Sequence, residues 1–331
     1  MSEVVRILLL SAHLLAVNVA AGGPIICLWL EWRRDAAGRD ALRYLAGWAI
    51  VGLLTGGLLG LLLGWLQWDG AYETLWSVHL GRKVYWAVWE LVFSIVLMTL
   101  YWLWKKQPNS GAGVTVARSL LLAIAVSNLV YHFPPLFFIG QQLLDHNWAG
   151  EPLTSGDFRR LMYTGHTLSL TLHFAVASVA VAGVLLLGLS LRRSREEGGA
   201  AVAPQIALWG ARWSLGATLL QLPIGLWTLV ALPRTMQNSL LGQNPLGLIV
   251  FGLAMVTALW LTRELVSVSS GETQRGLLLR VMLLMVATIL LMTATHEIAR
   301  GKRAKAAAPP PATTSMSPNR ECLHANRYAS R

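Results

Sequence analysis

Eight ionisable side chains sit inside or at the edges of long apolar runs: His13, Glu90, His132, His166, His173, Arg212, Arg280 and His296. An ionisable group in hydrocarbon is costly, so such residues face the protein interior and mark working sites. Neutral imidazole is a good iron ligand, and haem b is held by axial histidine. His166 and His173 are seven residues apart. That spacing places them on one helix face, about 10 Å from each other. The pair suits two haems, or one ligand beside a partner for a propionate or a quinone. For any one of these histidines, a plain hydrogen bond between helices is the alternative.

Glu90 closes the run Tyr85-Trp86-Ala87-Val88-Trp89-Glu90. A carboxyl there can relay protons, or it can be a structural acid paired with Arg82 two turns away. Arg82 and Lys83 could also neutralise haem propionates at the wet rim. Met282, Met285 and Met292 share a face of the last helix and read as core filler rather than ligands. Tyr131-His132-Phe133-Pro134-Pro135 and Gln221-Leu222-Pro223 predict breaks in two helices, because proline removes a backbone donor and clashes with the preceding turn.

The elements that must position these groups follow from composition. The chain has 331 residues, 55% hydrophobic and only 13% charged. Soluble domains carry about 25% charged residues, which excludes a soluble multi-domain enzyme. Disorder would need low hydrophobicity and high charge, and a β-barrel would show short alternating segments. Fifteen Trp stand against seven Phe, and Trp concentrates where hydrocarbon meets headgroups. The fold class is therefore an all-α polytopic membrane bundle. Eight segments are long enough to span a bilayer: 5–30, 44–67, 82–104, 117–143, 161–190, 206–232, 246–263 and 277–297. Residues 1–300 form the transmembrane domain, and 301–331, with Pro309-Pro310-Pro311, a tail expected to be disordered. The first segment reads as a retained helix rather than a cleaved signal.

The net charge of +11 is read as an orientation signal, not a nucleic-acid footprint. Twelve basic residues lie after helices 1, 3, 5 and 7, from Arg33 to Arg275, against six on the other side. Basic loops face the cytoplasm, which puts both termini on the outer side of a bacterial inner membrane. Every intramembrane histidine then falls in the outer half. Cys27 and Cys322 form no disulfide framework, and Cys322-Leu323-His324 has the wrong spacing for c-type haem attachment. Gly52, Gly56, Gly57, Gly60 and Gly64 on the second helix predict close helix packing. No internal repeat stands out: the halves share helix number but not motif.

Three short motifs carry a resemblance: Leu10-Ser11-Ala12-His13 with Gly22-Gly23-Pro24, then Trp89-Glu90-Leu91-Val92-Phe93, then Leu172-His173-Phe174-Ala175 ending at Gly188-Leu189-Ser190. They resemble subunit I of cytochrome bd quinol oxidases, over helices 1 to 5. The resemblance implies that His13 and His173 are ligands to b-type haem. It also implies that Glu90 is the acid of the third helix near the haems and a proton path. The Gly-Arg-Gln-Pro-Trp motif and the long loop after helix 6 are missing. The expectation is a divergent, bd-like membrane cytochrome b, a quinol-linked oxidoreductase component. It would pass electrons from a membrane quinol to an outer-face partner such as a c-type cytochrome. His132, His166 and His296 are the next ligand candidates. The rival readings are a proton-coupled transporter and a non-catalytic membrane anchor of a redox complex.

Overall fold

A computed structural model describes residues 2–33, 35–104, 111–145 and 152–307, with side chains to residue 300. Lys105, Lys106 and the predicted turn at 107–110 lie outside the described residues, as do Arg34 and the side chains of the tail from 301. Eight helices long and apolar enough to cross a membrane are present: α1 Glu3–Leu30, α2 Ala36–Leu66, α3 Gly81–Trp104, α4 Ala112–Asp145, α5 Gly165–Arg193, α6 Ala203–Ala231, α7 Pro245–Ser269 and α8 Arg275–Ala307. There is no strand among the described residues. The protein is an all-α membrane bundle.

Local chemistry sets the helix ends. Side-chain oxygens of Ser2, Asp35 and Thr164 accept the backbone N–H of Val5, Gly38 and Thr167, satisfying donors that have no partner inside the helix. The Asp35 cap starts α2 eight residues before the apolar run does, so its first turns carry Arg39, Asp40 and Arg43. The Thr164 cap also divides the expected segment 161–190: a separate short helix, Ser155–Met162, precedes α5. Pro245 opens α7, where a missing N–H costs nothing. The expected breaks are absent. Helix α4 continues through Pro134 and Pro135, and α6 through Pro223.

Helices α1 and α5 are central. Helix α1 packs against α2, α4, α5 and α8; α5 packs against α6, α8, α1 and α4. The main neighbours of α1 map onto those of α5 when the first four helices are exchanged for the last four, although the α2–α5 contact has no counterpart of similar extent. The same 160-residue offset that separates the bonded pair Asn18 and Ser178 also relates His13 to His173 and Gly23 to Gly183. The two halves thus share part of a packing pattern, though the sequence shows no repeated motif. Only scattered positions retain the likeness, because any apolar residue satisfies a lipid-facing surface.

Small residues let the helices approach. A Cβ on Gly52 would lie 2.6 Å from the Ala16 carbonyl, and one on Gly56 2.6 Å from Val17 Cγ1. These two contacts, with Gly60 beside His13, make the predicted α1–α2 seam. Gly57 faces Leu91 instead, and Gly64 has open space around it. A Cβ on Gly22 would overlap the Ser178 carbonyl, which marks the α1–α5 crossing.

Candidate functional site

The end of the bundle where α1 starts, called here the upper end, is tied together by ion pairs. Arg6 Nε lies 2.8 Å from Glu297 Oε2, and Arg300 Nη2 lies 3.5 Å from Asp145 Oδ1. The start of α1 and the ends of α4 and α8 therefore share one side. The histidines of the sequence analysis occupy the upper half, but they do not converge. Among the described residues, no three of His, Cys, Asp and Glu gather in a metal-binding group.

His13 lies in the α1–α2 seam, with Nδ1 2.9 Å from the Gly56 carbonyl. A carbonyl only accepts, so Nδ1 carries the proton, and Nε2 keeps its lone pair. This arrangement presets an imidazole for metal ligation, since the other ring nitrogen is anchored on the backbone. A Cβ on Gly60 would stand 3.0 Å from His13 Cε1. Glycine there gives the ring its room.

His173 lies at the α5–α6 contact. Its Nδ1 is buried without a hydrogen-bond partner, and a Cβ on Gly225 would stand 3.8 Å from its Cε1. Both histidines precede the Asn18–Ser178 pair by five residues, a rise of about 7.5 Å. The pair therefore sets the two rings at equal depth on parallel helices. Their neighbours are different helices, α2 for His13 and α6 for His173.

Glu90 and His132 form a third group, between α3 and α4. His132 Nδ1 lies 3.2 Å from Glu90 Oε1. Asn128 Nδ2 donates to the Glu90 carbonyl at 2.9 Å and to Ser94 Oγ at 2.8 Å, which locks the two helices one turn away. The expected partner of Glu90, Arg82, is exposed; the observed partner is His132. Lys83 reaches Ser155 Oγ at 3.4 Å and lies over the Phe158 ring. His296 is 3.9 Å from Glu297 Oε1, so it borders the upper ion pairs. His166 sits in the first turn of α5, its carbonyl accepting from Ser169. Met285 is buried in the core with Met282 packed beside it, as expected of filler. Arg212 is exposed, and Arg280 pairs with Glu264 at 3.2 Å. Compared with protein-family models and with curated proteins, the chain matches none.

Several polar positions escape a search for charges alone. Asn18, Asn128, Ser94 and Ser178 are uncharged, yet each is polar within an apolar helix, which is itself a signal of contact between helices. At the lower end, Tyr101 donates to Glu31 Oε1 at 2.5 Å, and both are buried. Arg118, 1% exposed, donates to the Trp104 carbonyl at 2.7 Å. Arg118 counts as a loop charge in the sequence; α4 begins at Ala112 and draws it inside the bundle instead, while Glu31 is buried just past the end of α1.

Haem b is the group that the sequence implies, and the donor set fits it. His13 offers Nε2, with Nδ1 anchored on Gly56, and His173 has a buried Nδ1 without a hydrogen-bond partner. The preset tautomer of His13 and the unsatisfied Nδ1 of His173 are the observations that meet the requirement.

Proposed function

We propose that this protein is a haem b-containing membrane electron-transfer protein, with His13 and His173 as first axial ligands. The single observation that carries the reading is the His13–Gly56 hydrogen bond, which leaves an unprotonated Nε2 inside a membrane bundle. Haem b bound there supplies one-electron transfer. The protein's own part is to hold the imidazoles, exclude water and place protons. His13 is fixed by Gly56 and accommodated by Gly60; His173 is set at the same depth by Ser178. Glu90, bonded to His132, holds or passes a proton at Oε1. His132, His166 and His296 are second-choice ligands, and Arg82, exposed at the upper rim, can meet a propionate.

The electron donor in this reading is a membrane quinol, and the acceptor is an outer-face partner such as a c-type cytochrome. The site is in the bacterial inner membrane, with both termini on the outer side. The continuous helices α4 and α6 remove one support for the transporter alternative, since broken helices are a feature of such sites. The test is a reduced-minus-oxidised spectrum with iron analysis of the detergent-purified chain. A Soret band that diminishes in both His13→Ala and His173→Ala is expected. Iron-free protein without a Soret band would refute the proposal.

A further inference from the structure

At the lower end, an open cleft of about 410 Å³ is lined by Gly188, Leu191, Arg192, Arg195 and Glu196. Its floor exists because residue 188 has no side chain: a Cβ there would stand 3.4 Å from Met282 Cε on α8 and 3.7 Å from the Tyr44 hydroxyl on α2. The cleft thus has an apolar part at Gly188 and Leu191, and a basic mouth at the last turn of α5. Arg192 Nε pairs with Glu196 Oε1 at 2.9 Å, and Arg193 pairs with both Glu196 and Asp40. Glu196 is therefore already held by two arginines, whose hydrogen bonds keep its carboxyl below the usual carboxylate range. Arg195 is exposed and has no carboxylate partner among the described residues.

The geometry points to a binding site for an anionic phospholipid, with its phosphate at Arg192 and Arg195 and an acyl chain along the Gly188 groove. Basic pockets at membrane helices take acidic headgroups, and Gly188 and Leu191 offer an apolar strip beside the guanidinium groups for an acyl chain. A free inorganic anion would use only the mouth. A zwitterionic lipid would gain little from an unpaired guanidinium.

The test uses the full chain in mild detergent, with lipid binding followed by native mass spectrometry and by thermal unfolding. Phosphatidylglycerol is expected to bind and raise the melting temperature more than phosphatidylcholine does. Inorganic phosphate at equal concentration, reaching only the mouth, should have a much smaller effect. Replacing Arg192 and Arg195 by Gln should weaken phosphatidylglycerol by about five-fold per arginine, as ~1 kcal/mol each implies. Each variant is compared with its own lipid-free state. Should the double variant not fold, Gly188→Leu fills the groove and leaves both arginines in place; it should reduce lipid binding similarly. Equal binding of the two lipids, full reproduction by phosphate, or undiminished binding to the variants would overturn the proposal.

Discussion

Ser178 Oγ donates to Asn18 Oδ1 at 2.7 Å, and both residues are buried where α1 crosses α5. Parallel helices in lipid have no hydrophobic force to fix their axial register, so a polar pair sets it. That register is what places His13 and His173 at one depth. Ser178→Ala leaves the Asn18 carbonyl oxygen without its donor, and Asn18→Leu removes both polar ends. A double-mutant cycle between Asn18→Leu and Ser178→Ala should give a coupling of about 0.6–1.7 kcal/mol, the range for interhelical hydrogen bonds in bilayers. Unfolding in mixed micelles measures it. Strict additivity of the single effects would show that the pair does not set the register.

Gly60 is the position that most directly tests His13. A Cβ at 3.0 Å from Cε1 and 3.4 Å from Nδ1 crowds the ring edge that the Gly56 bond also holds, so ring or bond must shift. Under the proposed haem ligation by His13, Gly60→Val should therefore shift the Soret maximum and the low-spin electron paramagnetic signal, while helical circular dichroism is kept. Gly64→Val, at a position with nothing within 4 Å, is the control and should leave both signals in place. An unaltered spectrum in Gly60→Val would count against His13 as a ligand.

The Glu90–His132 contact predicts that the two residues act as one unit. Their side chains are 24% and 40% exposed, so the pair sits at a partly open edge rather than in a sealed core. Under the proposed function, Glu90→Gln and His132→Ala should each slow proton-coupled quinol oxidation, and the double variant should be no slower than the worse single one, since members of one unit are non-additive. His132→Ala should also move the carboxyl stretching band of Glu90 in difference infrared spectra. A His132 variant that leaves that band unmoved would separate the two residues.

Much of the fold was legible from the sequence, and the reasons are physical. A span of hydrocarbon demands a run of apolar residues, so eight runs gave eight helices. The ends were less legible, because helices such as α2 continue into the polar interface once Asp35 caps them. The glycine seam was readable at Gly52, Gly56 and Gly60, but spacing alone could not tell that Gly57 and Gly64 point elsewhere. Proline was over-read. At Pro134 and Pro135, neighbouring helices hold α4 together despite the lost donors, as membrane bundles allow. The histidines could be assigned to one half of the bundle, but not to separate seams. That distinction needs to know which helix each ring meets, and the partly shared neighbour pattern is invisible in a sequence dominated by interchangeable Leu and Val.

The upper ion pairs define a stability hot spot. Glu297 is 5% exposed and lies near Arg6, Arg300 and His296. Removing the shared acid leaves these groups facing one another with no carboxylate between them. Glu297→Ala should cost about 3 kcal/mol, the scale for breaking a largely buried pair. Arg6→Ala should cost less, since Arg6 is 30% exposed and Arg300 remains near Glu297. Equal small losses from both variants, measured as denaturant midpoints in detergent, would mean that water already screens the cluster.

Gly23 and Gly183, 160 residues apart on the two central helices, should respond unequally to a side chain. A Cβ on Gly23 would meet Ala49 Cβ at 3.2 Å, a side-chain methyl that can shift a few tenths of an ångström. At Gly183 the same atom would lie 2.7 Å from the Gly210 carbonyl and 2.8 Å from the Ser214 nitrogen, and two helix backbones must separate to admit it. Overpacking costs about 1–3 kcal/mol. Gly183→Ala should fall at or above the top of that range and Gly23→Ala at or below the bottom. The α5–α6 separation should also disturb His173, which lies on the same seam, and leave His13 unaffected. A Gly183→Ala protein that keeps its thermal midpoint, or one in which only the His13-dependent spectrum changes, would contradict the assignment of His173 to the α5–α6 contact.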